Sequence, residues 1–186
     1  MIRAALSLLV FCAVASAQAA PPAQIALGDV SHVSFPAPHR IASGAVQATD
    51  IAALKKAGIQ EVIDLRTNDE TPDFNEAKAV RGAGMQFHQL PIRGTQDMTR
   101  SNVTKFDHLL NDAGDKLTLV HCASSNRVGA MIALRAAIIH GKSTEEALAE
   151  GREWGLRSLQ PAVRQRIEAL QQETPLHGDS GATPSH

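Results

Sequence analysis

The stretch Leu117-Thr118-Leu119-Val120-His121-Cys122-Ala123-Ser124-Ser125-Asn126-Arg127-Val128-Gly129 holds the residues best suited to chemistry. Aliphatic and β-branched residues lead into a small polar loop, and the loop leads into a stretch that is apolar on almost every face. That order predicts a strand, a tight loop and a buried helix. Ligand sites in open α/β sheets lie at the carboxyl ends of strands. At a helix start the first backbone N–H groups have no intrahelical acceptor, and the helix dipole adds positive potential. The amides of Ala123, Ser124, Ser125, Asn126 and Arg127 are therefore expected to form an anion cradle. The planar fork of Arg127 suits two phosphate oxygens. Cys122 lies in the same field and is expected to ionise below its usual range. A thiolate on the floor of an oxyanion cradle, with a guanidinium on its rim, can attack a bound tetrahedral oxyanion.

His121-Cys122-x4-Arg127 resembles the signature of cysteine-dependent phosphatases of the tyrosine and dual-specificity superfamily. More narrowly, residues 39–141 resemble the bacterial phosphatase-like domain of beta-lactamase hydrolase-like proteins. The similarity includes Val62-Ile63-Asp64-Leu65-Arg66 followed by Glu70, and Phe87-His88-Gln89-Leu90-Pro91-Ile92. The resemblance implies hydrolysis of phosphate monoesters through a phosphocysteine intermediate, with Cys122 as nucleophile and Arg127 as phosphate ligand. Two departures stand out. The usual loop has five residues between Cys and Arg, whereas this chain has four. The residue after Arg is usually Ser or Thr, whose hydroxyl supports the sulfur; here it is Val128, which leaves Ser124 or Ser125 as substitutes. The bacterial subgroup shares the short loop, but so do rhodanese-type sulfurtransferases, in which the Cys carries a persulfide. Three readings follow: a phosphatase, a sulfurtransferase, and a phosphate-binding module without catalysis. The pairing of Cys122 with Arg127 argues against the third, since a binder has no use for a thiolate.

Cleavage of a phosphate ester needs a proton donor for the leaving oxygen. The resemblance places it on the loop after Pro91, where Asp97 stands in Arg93-Gly94-Thr95-Gln96-Asp97-Met98. Asp97 reads equally well as a loop carboxylate near a helix start. Asp69, Glu70 and Asp73 are rivals, because strand carboxyl ends share one edge of a sheet. Glu70 is expected to pair with Arg66, and His121 to orient the loop through a ring N–H. The histidines show no metal-ligand spacing, and no dinucleotide or Walker motif is present, so neither a metal nor a cofactor is expected. Arg152, Arg157, Arg164 and Arg166 read as a solvated helix face, with a role in holding an anionic substrate as the alternative.

Alternating elements have to position these residues. His39 to Ala45 predicts a strand. Thr49 or Asp50 can cap a helix with Ile51, Leu54 and Ala57 inward, ended by Gly58. Ile59 to Leu65, Met85 to Leu90 and Lys116 to His121 are strands. Ala77 to Ala83 is a helix, and Ser101 is expected to open another with Val103, Phe106, Leu110 and Ala113 on one face. Val128 to His140 is a helix buried all round. Ser143 and Glu146 form a capping box, and Pro161 suits the first turn of a last helix facing inward with Val163, Ile167 and Leu170. Strand and helix alternate, so the fold class is α/β: a three-layer sandwich with a mainly parallel central sheet and the Cys loop between a central strand and a buried helix.

The remaining sequence sets the boundaries. Met1 to Ala17 reads as a signal peptide: Arg3, a short apolar run from Ala4 to Val14, then Ala15-Ser16-Ala17, with Ala17-Gln18-Ala19 as a second cleavage option. Residues 18–38 read as a loose lead-in, 39–173 as the catalytic domain and 174–186 as a disordered tail. Cleavage would remove Cys12 and leave Cys122 as the sole thiol of a periplasmic or secreted protein. With 18 Lys and Arg against 19 Asp and Glu, the net charge is −1, which supplies no basic footprint for nucleic acid. Aromatics are 3% with no Tyr, too few for a base-stacking platform. No run is long enough for stable membrane insertion. The expected partner is a phosphorylated small molecule or a phosphoprotein.

Overall fold

The computed structural model describes residues 26–173. The expected signal peptide with Cys12, Ala17 and Ala19, and the polar tail, lie outside the described residues. Five strands form one sheet: β1 (Ser34–Ala37), β2 (Arg40–Ser43), β3 (Glu61–Asp64), β4 (Gln86–Gln89) and β5 (Thr118–His121). Their order is β1-β2-β5-β3-β4. Only β1 runs antiparallel, against β2; the other neighbours are parallel.

Side-chain alternation along these strands generates the three layers. Ile41, Val62 and Leu119 project to one face, where Leu54 and Val80 cover them. Those two residues belong to α1 (Ile51–Lys56) and α2 (Glu76–Gly82). Ala42, Ile63 and Val120 project to the other face. There they meet α3 (Arg100–Asp112), α4 (Asn126–Ile138), α5 (Thr144–Glu153) and α6 (Gln160–Gln172). The chain is thus an α/β sandwich with β5 at the centre of its sheet.

β1 and α3 are among the elements that differ from the sequence reading, as are α4, which starts at Asn126, and α1, which neither Thr49 nor Asp50 caps with a side chain. β1 lies inside the stretch read as loose. Its prolines obscure a strand signal, but Pro36 sits on a sheet edge, where a missing N–H removes no ladder bond. The turn into β2 is made by Pro38 and His39, the latter at φ +57°. Helix α3 begins at Arg100, before Ser101, because Thr99 accepts from Asn102 N–H (3.2 Å) and so forms the cap.

Helix α4 is buried continuously from Val128 to Leu134, wedged between the sheet and α5. Gly129 permits that approach. A Cβ there would lie 2.2 Å from Leu156 N and 2.4 Å from Gly151 O. Both are backbone atoms, so relief requires helix movement. Gly129→Ala should destabilise the fold by about 3 kcal/mol, the upper part of the usual overpacking range. By thermal melting this is a loss of roughly 10 °C. Gly82→Ala is the control, because nothing lies within 4 Å of a Cβ there.

Candidate active site

The Cys loop leaves β5 at its carboxyl end. Cys122 is fully buried, with its N–H directed to Ser43 O at 3.4 Å. Ala45 N donates to Ala123 O (3.2 Å), which fastens the loop to the end of β2. Ser125 then turns the chain into α4 in a left-handed conformation, φ +62° and ψ −12°. Such a turn by a non-glycine residue is maintained by its surroundings. Ser125 Oγ donates to Trp154 O at 2.9 Å. Gly155, at φ +99°, leaves the room: a Cβ on it would lie 2.6 Å from Ser125 Oγ. Asn126 braces the same segment, accepting from Arg157 N–H (2.9 Å) and donating to Ser158 Oγ (2.6 Å). The α5–α6 connection therefore shapes the loop from outside. Within it, the backbone amides of Ala123, Ser124, Asn126 and Arg127 donate to no protein acceptor among the described residues. Asn126 contributes an amide to this cradle, while its side chain is spent on Arg157 and Ser158.

Arg127 is fixed by hydrogen bonds at both terminal nitrogens. Nη1 donates to Glu70 Oε1 (2.8 Å) and Ile92 O (2.7 Å), and Nη2 to Glu70 Oε2 (2.5 Å). A guanidinium has five N–H groups. The Nε–H and the second Nη2–H remain, and they lie on one edge, a fork for two oxygens. Arg127 is held above the usual guanidinium range: partial burial opposes the charge, but the Glu70 hydrogen bonds and the nearby Cys122 sulfur outweigh it. Glu70 is pushed down to about 2, first by the Arg127 hydrogen bond, against some desolvation and with help from Thr67. A depressed carboxylate stabilises the fold above its unfolded-state pKa, near ~4.3. That contribution falls away as the pH drops toward 2.

Glu70 was expected to pair with Arg66, and here the structure differs. Arg66 is buried and ion-pairs with Asp64 (3.1 Å) and Glu76. His121 was expected to orient the Cys loop. Its ring instead faces the α1–α2 side, with Nε2 3.0 Å from Glu76 Oε1 and 3.6 Å from Asp64 Oδ1. Alternation explains this: Cys122 points to one face of the sheet, so its neighbour His121 points to the other. Asp64, Glu76 and His121 offer donor atoms within 4.8 Å of one another. No spacing in the sequence indicates this cluster, and Arg66 already supplies positive charge to both carboxylates.

A cleft of about 470 Å³ opens over the loop, lined by Thr67, Asp69, Glu70, Arg93, Ser124, Asn126, Arg127 and Leu159. Asp97 is not among the lining residues. It sits in a single 3-10 turn, Thr95–Asp97, where Oδ2 accepts from Arg93 N–H (2.8 Å). Its carbonyl accepts from Asn102 Nδ2 (2.7 Å). Arg164 is paired with Glu145, and Arg166 with Met98 O, so neither enters the cleft.

A cysteine at the end of the central strand, a loop of free amides and a fixed arginine on an α/β sandwich are the features of a cysteine-dependent phosphatase of the tyrosine and dual-specificity type. Residues 39–171 match the family described as DSP-PTPase phosphatase fused to NAD+ kinase, and the chain belongs to that family. No curated protein matches it. Among solved structures, a protein of Neisseria meningitidis z2491 described as a phosphatase is 22% identical, with a TM-score of 0.61 over 75% of this chain and 98% of its own. A Shewanella putrefaciens CN-32 protein described as a DUF442 phosphatase is 22% identical, at 0.57 over 76% and 93%. Kinase associated phosphatase, crystallised with its catalytic-site cysteine replaced by serine, is 17% identical, at 0.60 over 77% and 96%. These similarities establish the fold. Among the described residues, no helix is long and apolar enough to cross a membrane.

Proposed function

We propose that the protein hydrolyses phosphate monoesters through a phosphocysteine intermediate on Cys122, and that its N-terminal segment directs it to the periplasm or outside the cell. The observation that carries this reading is Arg127, locked by Glu70 and Ile92 O with its second edge free beside a loop of free amides. In the first step the Cys122 thiolate attacks phosphorus. The S–P bond forms, the ester P–O bond breaks, and the leaving oxygen takes a proton from a carboxyl group. In the second step water attacks the phosphocysteine and gives a proton to the carboxylate left by the first step, the S–P bond breaks, and phosphate leaves with the thiolate and the carboxyl group restored. Charge that builds on the equatorial oxygens is met by the amides and the Arg127 fork. Ser125 is committed to Trp154 O, so Ser124 is the hydroxyl left to support the departing sulfur.

We assign the proton donor to Asp69, which lines the cleft, and a loop-shaping role to Asp97. In the cleft the negative charge of a bound phosphate opposes the Thr67 hydrogen bond that draws the Asp69 carboxyl down. Asp97→Asn should therefore slow aryl and alkyl phosphates alike, by a few-fold. Asp69→Asn should slow alkyl esters by about 10²-fold or more while sparing activated aryl esters, which depart without a proton. Leaving-group series on the two variants decide this, and selective loss in Asp97→Asn would return the role to Asp97.

The short loop keeps sulfur transfer as the competing chemistry. A parallel assay with an aryl phosphate and with thiosulfate plus cyanide separates the two. Release of phosphate without thiocyanate is expected; thiocyanate without phosphate would overturn the assignment.

A further inference from the structure

The character of the cleft bears on the leaving group rather than on the phosphate. Of the side chains lining it, most are committed to the protein. Thr67 and Glu70 hold one another, Glu70 holds Arg127, and Asn126 holds the α5–α6 connection. Three polar side chains are left to face a ligand. Arg93 lines the cleft, and its guanidinium makes no hydrogen bond or ion pair among the described residues; only its backbone N–H is engaged, by Asp97. Ser124 lines it with a hydroxyl that has no partner among the described residues. Asp69 is exposed, and its carboxylate is drawn below its usual range by the Thr67 hydroxyl first, with Arg93 contributing through charge. Leu159 is the one apolar lining residue.

No aromatic side chain lines this cleft. Phe106 and Trp154 are buried in the core, and Phe35 lies on the outermost strand, β1. Phe74 and Phe87 line a separate pocket of about 280 Å³ beside α2. A phenyl ring entering here would lie against guanidinium, carboxylate and hydroxyl groups. Those groups would lose water and gain no hydrogen bond, a penalty that polar sites impose on apolar ligands. A leaving group carrying several hydroxyls reverses the balance. Its oxygens accept from the Arg93 guanidinium, whose donors no other group takes up among the described residues.

Building on the phosphatase reading, we infer that the preferred substrate is a phosphorylated polyol, a sugar or inositol phosphate, and that Arg93 is the residue that reads its hydroxyl groups. Arg93 suits this role because its side chain is free while its backbone is fixed by Asp97. The guanidinium therefore starts from a defined loop and reaches over the same cleft as Arg127.

The test compares two esters of similar leaving-group acidity on the purified protein, glucose 6-phosphate and n-hexyl phosphate, with p-nitrophenyl phosphate as the activity reference. The polyol ester should exceed the n-hexyl ester by at least about tenfold in kcat/KM, the discrimination expected of a site that hydrogen-bonds substrate hydroxyls. Arg93→Ala should shrink that ratio about tenfold, mainly through KM for the polyol ester. Equal rates on the two alkyl esters, or a preference for n-hexyl phosphate, would overturn the inference while leaving the phosphatase reading intact. An unchanged ratio in Arg93→Ala would remove Arg93 from the role. No hydrolysis of any of the three esters would instead count against the phosphatase reading itself.

Discussion

Cys122→Ser should abolish turnover of every phosphate ester while leaving oxyanion binding in place. An alcohol at this position is not ionised near neutral pH, so the S–P bond of the first step has no counterpart. The cradle does not depend on the sulfur. Its amides belong to Ala123, Ser124, Asn126 and Arg127, and its shape comes from Ser125 on Trp154 O and Asn126 on Arg157. Sulfate titration of the variant should therefore show affinity near that of the parent protein. In the parent, vanadate should protect Cys122 from alkylation. A serine variant with the parent rate would refute the covalent mechanism, and alkylation indifferent to vanadate would refute the cradle.

Arg127→Lys should lower kcat/KM by about 10²-fold or more, the scale seen when one preorganised oxyanion donor is removed. The guanidinium does two things at once. One edge is anchored by Glu70 and Ile92 O, and the other keeps Nε–H and Nη2–H without a protein acceptor among the described residues. A lysine ammonium is a single point donor and cannot span both. It also leaves Glu70 without its bidentate partner, so carboxylate charge remains next to an incoming phosphate. Rates across an aryl phosphate series, together with vanadate affinity, measure the effect. A lysine variant within a few-fold of the parent would reduce Arg127 to a structural role.

The strand, loop and helix that carry Cys122 and Arg127 were legible because they are contiguous. Cys122 to Arg127 form one strand–loop–helix passage, and chemistry confined to consecutive residues survives any arrangement of the rest. The Asp97 turn shows where contiguity ends. Asp69 and Asp97 both follow strands that finish on the same edge of the sheet, and equal proximity to that edge left them indistinguishable. The difference between them is one hydrogen bond, from Arg93 N–H to the Asp97 carboxylate, which draws that carboxylate onto its own loop.

Elements whose determinants lie within a few residues were set by the sequence alone. The capping box of α5 is an example, with Ser143 N–H and hydroxyl both meeting the Glu146 carboxylate. The central strands and the all-round apolar α4 are others, since burial of a continuous hydrophobic run needs no particular partner. What tertiary structure decided are the pairings between distant polar groups. Glu70 meets Arg127 across 57 positions, and Ser125 meets Trp154 across 29. Arg66 takes Asp64 and Glu76 instead of Glu70 because strand alternation sends its side chain to the α1–α2 face, whereas Glu70 lies on the loop above the sheet edge that holds the Cys loop. Charge and residue type allowed either partner, and only the direction of each side chain across the folded sheet chose between them.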